Sequence, residues 1–179
     1  MRLKAFGKRA LFFSIVMAMQ LMTLSGCAFS SNGEGPSMNL FGNKKIVGKD
    51  ITSEDIKDFY YTKENINFDA FYQRYRFFVE GEKYMFFHET RDRKGRYGPC
   101  TEEDTTKSGT IELSEEQWKA FFETISNGTV TARDDSADSG SSGPWMFLYW
   151  KGDKSKYQQF SFESNGKEKA FIDLCLSLE

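Results

Sequence analysis

One histidine and three cysteines are all that this 179-residue chain offers of the side chains that most often ligate transition metals or attack a substrate. The cysteines, Cys27, Cys100 and Cys175, form no CxxC pair, and His88 stands in no HExxH pattern. No glycine-rich phosphate loop is present, and no serine or cysteine occupies a recognisable nucleophile elbow. Nothing therefore points to a metal, a nucleotide or any other cofactor. Long apolar runs are missing as well. The greasiest stretch, residues 10–24, is interrupted by Ser14, Gln20 and Thr23, and falls short of the roughly 20 apolar residues that span a bilayer.

No acidic residue precedes Cys27. Arg2, Lys4, Lys8 and Arg9 open the chain, the apolar stretch follows, and Leu24-Ser25-Gly26-Cys27 closes it. This order of charge, apolar segment and small residues suits a cleaved export signal. The "LSGC" string resembles the lipobox of bacterial lipoproteins. That resemblance implies a diacylglycerol joined to the Cys27 thiol, with cleavage making Cys27 the new N-terminus. Two or three acyl chains would hold the protein on a membrane with no spanning helix, since one chain alone binds only marginally. Loss of residues 1–26 would remove four of the 24 basic side chains and none of the 26 acidic ones. The net charge then falls from −2 to −6, which argues against nucleic acid as a partner.

Residues 28–50, "AFSSNGEGPSMNLFGNKKIVGKD", are rich in Gly, Ser and Asn and read as a flexible tether of roughly 25 Å behind lipidated Cys27. Residues 51–179 are long enough for one domain with a sizeable core. In that domain Cys100 and Cys175 permit one disulfide, or else two free thiols with Cys175 a small core residue.

The domain reads as α+β. Glycine at the first position of Gly81-Glu82 fits a two-residue type II′ hairpin turn. The register sets Val79 opposite Tyr84, Phe77 opposite Phe86 and Tyr75 opposite His88. On the other face it sets Phe78 opposite Met85, Arg76 opposite Phe87 and Arg74 opposite Glu89, a cross-strand ion pair. "GTIELSEEQWKAFFETISNG" reads as a short strand, a capping box at Ser114 and Gln117, and a helix to about residue 126. Trp118, Phe121, Phe122 and Ile125 make its apolar stripe. A strand at 129–132, a second hairpin pairing 145–150 with 157–162, and a closing helix over 166–178 complete the chain. The expected architecture is a twisted antiparallel sheet of about six or seven strands with two helices packed on it. The strings "DFYYT", "AFYQRYRF", "FHETR", "SGPW", "LYWKGDK" and "FSFES" resemble small lipoproteins of Gram-positive anaerobes over most of residues 56–179; the resemblance brings no activity and no site residue with it.

Candidate chemistry is sparse. His88 is either a general base beside Glu89 or Asp92, or a core histidine near Tyr75. Asp134, Asp135 and Asp138 form an acidic loop, which reads as a solvated surface segment rather than a calcium site. "RDRKGR", residues 91–96, reads as a charged hairpin exit or as a contact for anionic headgroups.

The function these features favour is a membrane-anchored extracytoplasmic binding module for a protein or glycan. A hydrolase of wall or extracellular polymer, using His88 or a carboxylate pair, is the alternative, and an inhibitor or assembly factor for another envelope protein the second. The chain is expected to act as a monomer. If both helices cover the sheet face of Phe77 and Phe86, the other face presents Tyr72, Arg74, Arg76, Phe78, Met85 and Phe87. Aromatic residues edged by arginine are common interface chemistry. That reading expects Phe78 and Phe87 to be well exposed and Arg76 to be dispensable for stability.

Overall fold

A computed structural model describes residues 44–179, except 65, 66, 68, 96, 134–142 and 153–156. The expected signal peptide and lipid site at Cys27, most of the tether and the Asp134, Asp135 and Asp138 loop lie outside the described residues.

Strands β3 (Phe71–Glu80) and β4 (Lys83–Asp92) form the hairpin in the register read from the sequence, from Phe71 opposite Asp92 to Glu80 opposite Lys83. Gly81 turns it with φ +62°, a conformation a β-carbon would penalise. The hairpin lies toward one edge of one open antiparallel sheet of eight strands, in the order β1-β6-β8-β7-β2-β3-β4-β5. The remaining strands are β1 (Lys45–Ile46), β2 (Ile56–Thr62), β5 (Thr105–Leu113), β6 (Thr129–Thr131), β7 (Trp145–Trp150) and β8 (Gln158–Ser161).

Eight strands exceed the six or seven expected, and β1 lies inside the stretch read as tether. Lys45 and Ile46 pair with β6, and Val47 and Ile51 behind them are wholly buried. The sheet thus begins before residue 51. Strand β5 also starts earlier than the glycine at 109, because Thr105 to Ser108 complete its ladder with β4.

Helix α1 (Glu115–Ile125) starts at the capping box: Ser114 Oγ accepts from the Gln117 backbone N–H, and Gln117 Oε1 accepts from the Ser114 N–H. It ends at Asn127, whose φ of +64° turns the chain back toward β6. Helix α2 (Asn165–Leu178) is capped by Ser164. Both helices lie on the sheet face bearing Phe59, Tyr75, Phe77, Phe86, Leu148 and Phe160. The Phe121 ring stacks on Phe77 at 4.1 Å, and Phe171 meets Phe59 at 5.4 Å. Trp118, Phe121 and Ile125 are buried as the stripe requires, whereas Phe122 is only half-buried at its flank. The α2 register places Phe171 and Cys175 in the same core, with Leu174 and Leu178 at its margin.

No disulfide joins the two cysteines of the domain. Both are buried free thiols: Cys175 lies on the buried side of α2, and Cys100 donates to the carbonyls of Asp69 and Ala70 at 3.4 Å. Local packing uses each sulfur as a small buried group.

Candidate binding face

With α1 and α2 both packed on one side, the opposite side of the sheet carries neither of them. Strand alternation and the observed registers collect Asp58, Tyr60 and Thr62 from β2, Tyr72, Arg74, Arg76 and Phe78 from β3, and Met85, Phe87, Glu89 and Arg91 from β4 on it. Strand β7 adds Trp145, Phe147 and Tyr149.

Arginine and aromatic residues interleave across this face. The Arg76 guanidinium lies 4.3 Å from the Phe78 ring centroid and 4.9 Å from that of Tyr60. Arg74 covers Phe87 at 5.1 Å, Arg91 covers Tyr72 at 5.7 Å, and Arg133 covers Phe147 at 4.7 Å. Each such contact contributes roughly 0.5–1 kcal/mol where water still reaches it. Two carboxylates hold three of these four guanidiniums in place. Asp58, 6 % exposed, takes Arg76 bidentately, Nε to Oδ1 at 2.9 Å and a terminal nitrogen to Oδ2 at 2.6 Å. Glu89 accepts from Arg74 at 2.8 Å and from Arg91 at 2.7–2.8 Å. The Asp58 pair pushes the Arg76 guanidinium above its already high pKa, so its charge is permanent.

The five residues expected here, Tyr72, Arg74, Arg76, Phe78 and Phe87, do share this face, but not on the terms expected. Tyr72 is buried, at 4 % exposure, and burial holds its hydroxyl above the usual tyrosine pKa. Phe78 and Phe87 are half-buried, because guanidinium planes lie over their rings. Arg76 is not a dispensable surface charge, since removing it leaves Asp58 buried without a counter-ion, held only by the Tyr157 hydroxyl at 3.3 Å. The end of the face at Tyr72, Glu89 and Arg91 is closed, and the half-exposed surface runs from Phe87 through Tyr60 to Phe147 and Tyr149.

The other candidates separate. His88 lies on the core side, opposite Tyr75 as the register requires and stacked on Phe86 at 5.9 Å. Glu89 faces away from it and is taken by two arginines, so the pair forms no acid–base unit. Burial lowers the His88 pKa, Lys107 lowers it further, and Glu179 works in the opposite sense. A β-carbon at position 109 would stand 2.7 Å from His88 Nε2, which is why β5 passes the imidazole with a glycine. The "RDRKGR" run is broken up too: Arg91 belongs to the closed end of the face, paired with Glu89.

A groove of about 640 Å³ runs beside α1, lined by Ser53, Glu54, Tyr84, Glu115, Glu116, Trp118, Lys119, Phe122 and Glu123. It gathers carboxylates that the sequence did not single out. Hydrogen bonds from its own backbone N–H and from Ser114 hold the Glu116 carboxyl below its usual range, the opposite of what a general acid requires. His88 lines neither this groove nor the hollow of about 460 Å³ at the Tyr149 end of the open face. No group of three or more His, Cys, Asp or Glu among the described residues is placed to hold a metal ion. No described helix is long and apolar enough to cross a membrane.

No known protein family, curated protein or solved structure shows a significant match to the chain. The reading of function therefore rests on the geometry and the sequence signal.

Proposed function

We propose that the chain is an extracytoplasmic binding module, tethered to the membrane through lipid on Cys27, with the helix-free sheet face as its ligand surface. The observation that carries the reading is the interleaved arginine and aromatic surface from Phe87 to Tyr149. The Arg74 and Arg76 guanidiniums are held by the buried carboxylates of Glu89 and Asp58, so little of their side-chain freedom is lost when a ligand docks. Half-exposed aromatic residues contiguous over several strands are the kind of patch that marks interaction sites. Protein and glycan ligands both suit it. The hydrolase reading is less well supported, because the single histidine lies on the core side of the sheet and away from both concavities, and Glu116 in the α1 groove is held below, not above, the usual carboxyl range.

Anchoring and binding are tested apart. Cys27→Ser is expected to move the protein from the membrane fraction to the soluble one, or to leave the precursor uncleaved, as read by fractionation and intact mass. A variant that stays membrane-bound with residues 1–26 removed would refute lipid anchoring. Binding is tested by cross-linking from the open face at position 110, opposite Phe87 in the β4–β5 ladder.

A further inference from the structure

At one corner of the open face the sheet is irregular, and the irregularity builds a pocket. Strand β2 shifts register against β7 between Ile56 and Asp58: Ile56 lies opposite Trp150, and Asp58 lies opposite Tyr149. Lys57 is the extra residue. A bulge of this kind sets aside the alternation of faces and re-aims a side chain, and Lys57 here lines the hollow of about 460 Å³ with Asp58, Val79, Tyr149, Lys151, Gly152 and Tyr157. Tyr157 closes the hollow with φ +54°, a left-handed conformation rare for an aromatic residue. Such strain persists only where surrounding contacts fix it, and it clusters at ligand sites. The contacts are present: the Tyr157 ring packs edge-on against Tyr60 at 5.3 Å, and its hydroxyl lies 3.3 Å from Asp58 Oδ2.

Among the described residues the charge in the hollow is unbalanced. Lys57 and Lys151 have no ion-pair partner among the described residues. The two carboxylates nearby are already engaged, Asp58 by Arg76 and Asp55 by the Thr52 N–H and hydroxyl. Both lysines lower the pKa of Asp55 through space, after those hydrogen bonds, yet neither pairs with it. Two ammonium groups at the mouth of a hollow walled by tyrosine suit a compact anion on a hydroxylated skeleton. Lysine binds phosphate as a point charge, and phenol hydroxyls can hydrogen-bond to a polyol.

We propose that this corner binds a phosphorylated sugar, with the phosphate between Lys57 and Lys151 and the sugar ring against Tyr149 and Tyr157. The assignment rests on reading the open face as the ligand surface, and it names that ligand's chemical class. Its test is an amide-shift titration of the isotope-labelled full-length protein with glucose 1-phosphate, inorganic phosphate and glucose as separate probes. Glucose 1-phosphate is expected to bind most tightly, inorganic phosphate more weakly and glucose not at all, with shifts centred on Lys57, Tyr149 and Tyr157. Lys57→Gln and Lys151→Gln are each expected to weaken glucose 1-phosphate about tenfold, the equivalent of ~1.4 kcal/mol, and added salt to weaken it further. Tyr149→Ala is expected to bring glucose 1-phosphate down to the affinity of inorganic phosphate. No shift with either phosphate probe, or undiminished affinity in both lysine variants, would overturn the pocket. Shifts at Phe78 and Phe87 with none at the hollow would overturn it while leaving the open face as the ligand surface. Shifts confined to α1 and α2 would overturn both.

Discussion

Phe121→Ala is expected to lower the free energy of unfolding by about 3–5 kcal/mol, the usual cost of emptying a buried aromatic site. Phe121 is fully buried between helix and sheet. Its ring lies face to face with Phe77 at 4.1 Å and 4°, and it also meets Phe59, Trp118 and Phe171. Those neighbours come from two strands and two helices, so no single element can relax to fill the void. Phe122→Ala, one residue further along the helix and only half-buried, is expected to cost clearly less. Urea unfolding of both variants checks the pair. A loss below about 1 kcal/mol at Phe121 would place the core elsewhere, since truncation of a packed phenylalanine does not come so cheaply.

Removing the Arg76 side chain is expected to be the most damaging change on the opposite face. Breaking a buried ion pair from one side typically costs about 3–5 kcal/mol, because the remaining charge is left with little solvent and no counter-ion. The Arg76 side chain is 32 % exposed while that of Asp58 is 8 % exposed, so solvent screens part of the interaction. Arg76→Ala is accordingly expected to cost about 2–3 kcal/mol, below the full figure for a wholly buried pair. Much of the loss is stranded Asp58, so adding Asp58→Asn to Arg76→Ala is expected to recover part of it. Thermal unfolding of the two single variants and the double one measures that coupling. Equal melting temperatures for wild type and Arg76→Ala would mean that the guanidinium is a surface ornament and that the face is not pre-organised by its carboxylates.

The β3–β4 hairpin was legible in the sequence because local signals agreed: a glycine at the first turn position, alternating apolar residues, and an Arg74–Glu89 match across the ladder. Helix α1 was legible for the same reason, its capping box and its apolar stripe pointing to one register. Strand β1 was not. Two residues in a stretch rich in glycine and asparagine carry no period, and their strand character comes from β6 alongside. The polar start of β5, Thr105 to Ser108, was missed because an edge strand needs little apolar alternation. The open face was half legible. Its β3 and β4 members follow from the hairpin, but Asp58 joins Arg76 only through the pairing of β2 with β3, which no local pattern announces. Without Asp58, the arginine looked expendable. The corner pocket was further out of reach, since it depends on a bulge at Lys57 and a left-handed Tyr157, and both arise from pairing and packing among distant strands. The cysteines mark the opposite limit: their number allowed a disulfide, and only the fold shows where each sulfur sits.

The central claim is that ligands reach this protein through the helix-free side of its sheet. Photo-cross-linking tests it most directly, with a photoreactive residue at position 110 on the exposed surface of β5 or at position 120 on the exposed side of α1. Each full-length variant is incubated with solubilised peptidoglycan and anionic wall polymer before irradiation. The account predicts adducts from position 110 and none from position 120, with the position-110 adducts suppressed by unlabelled polymer. Adducts from position 120 alone, or equal yields from both positions, would contradict it.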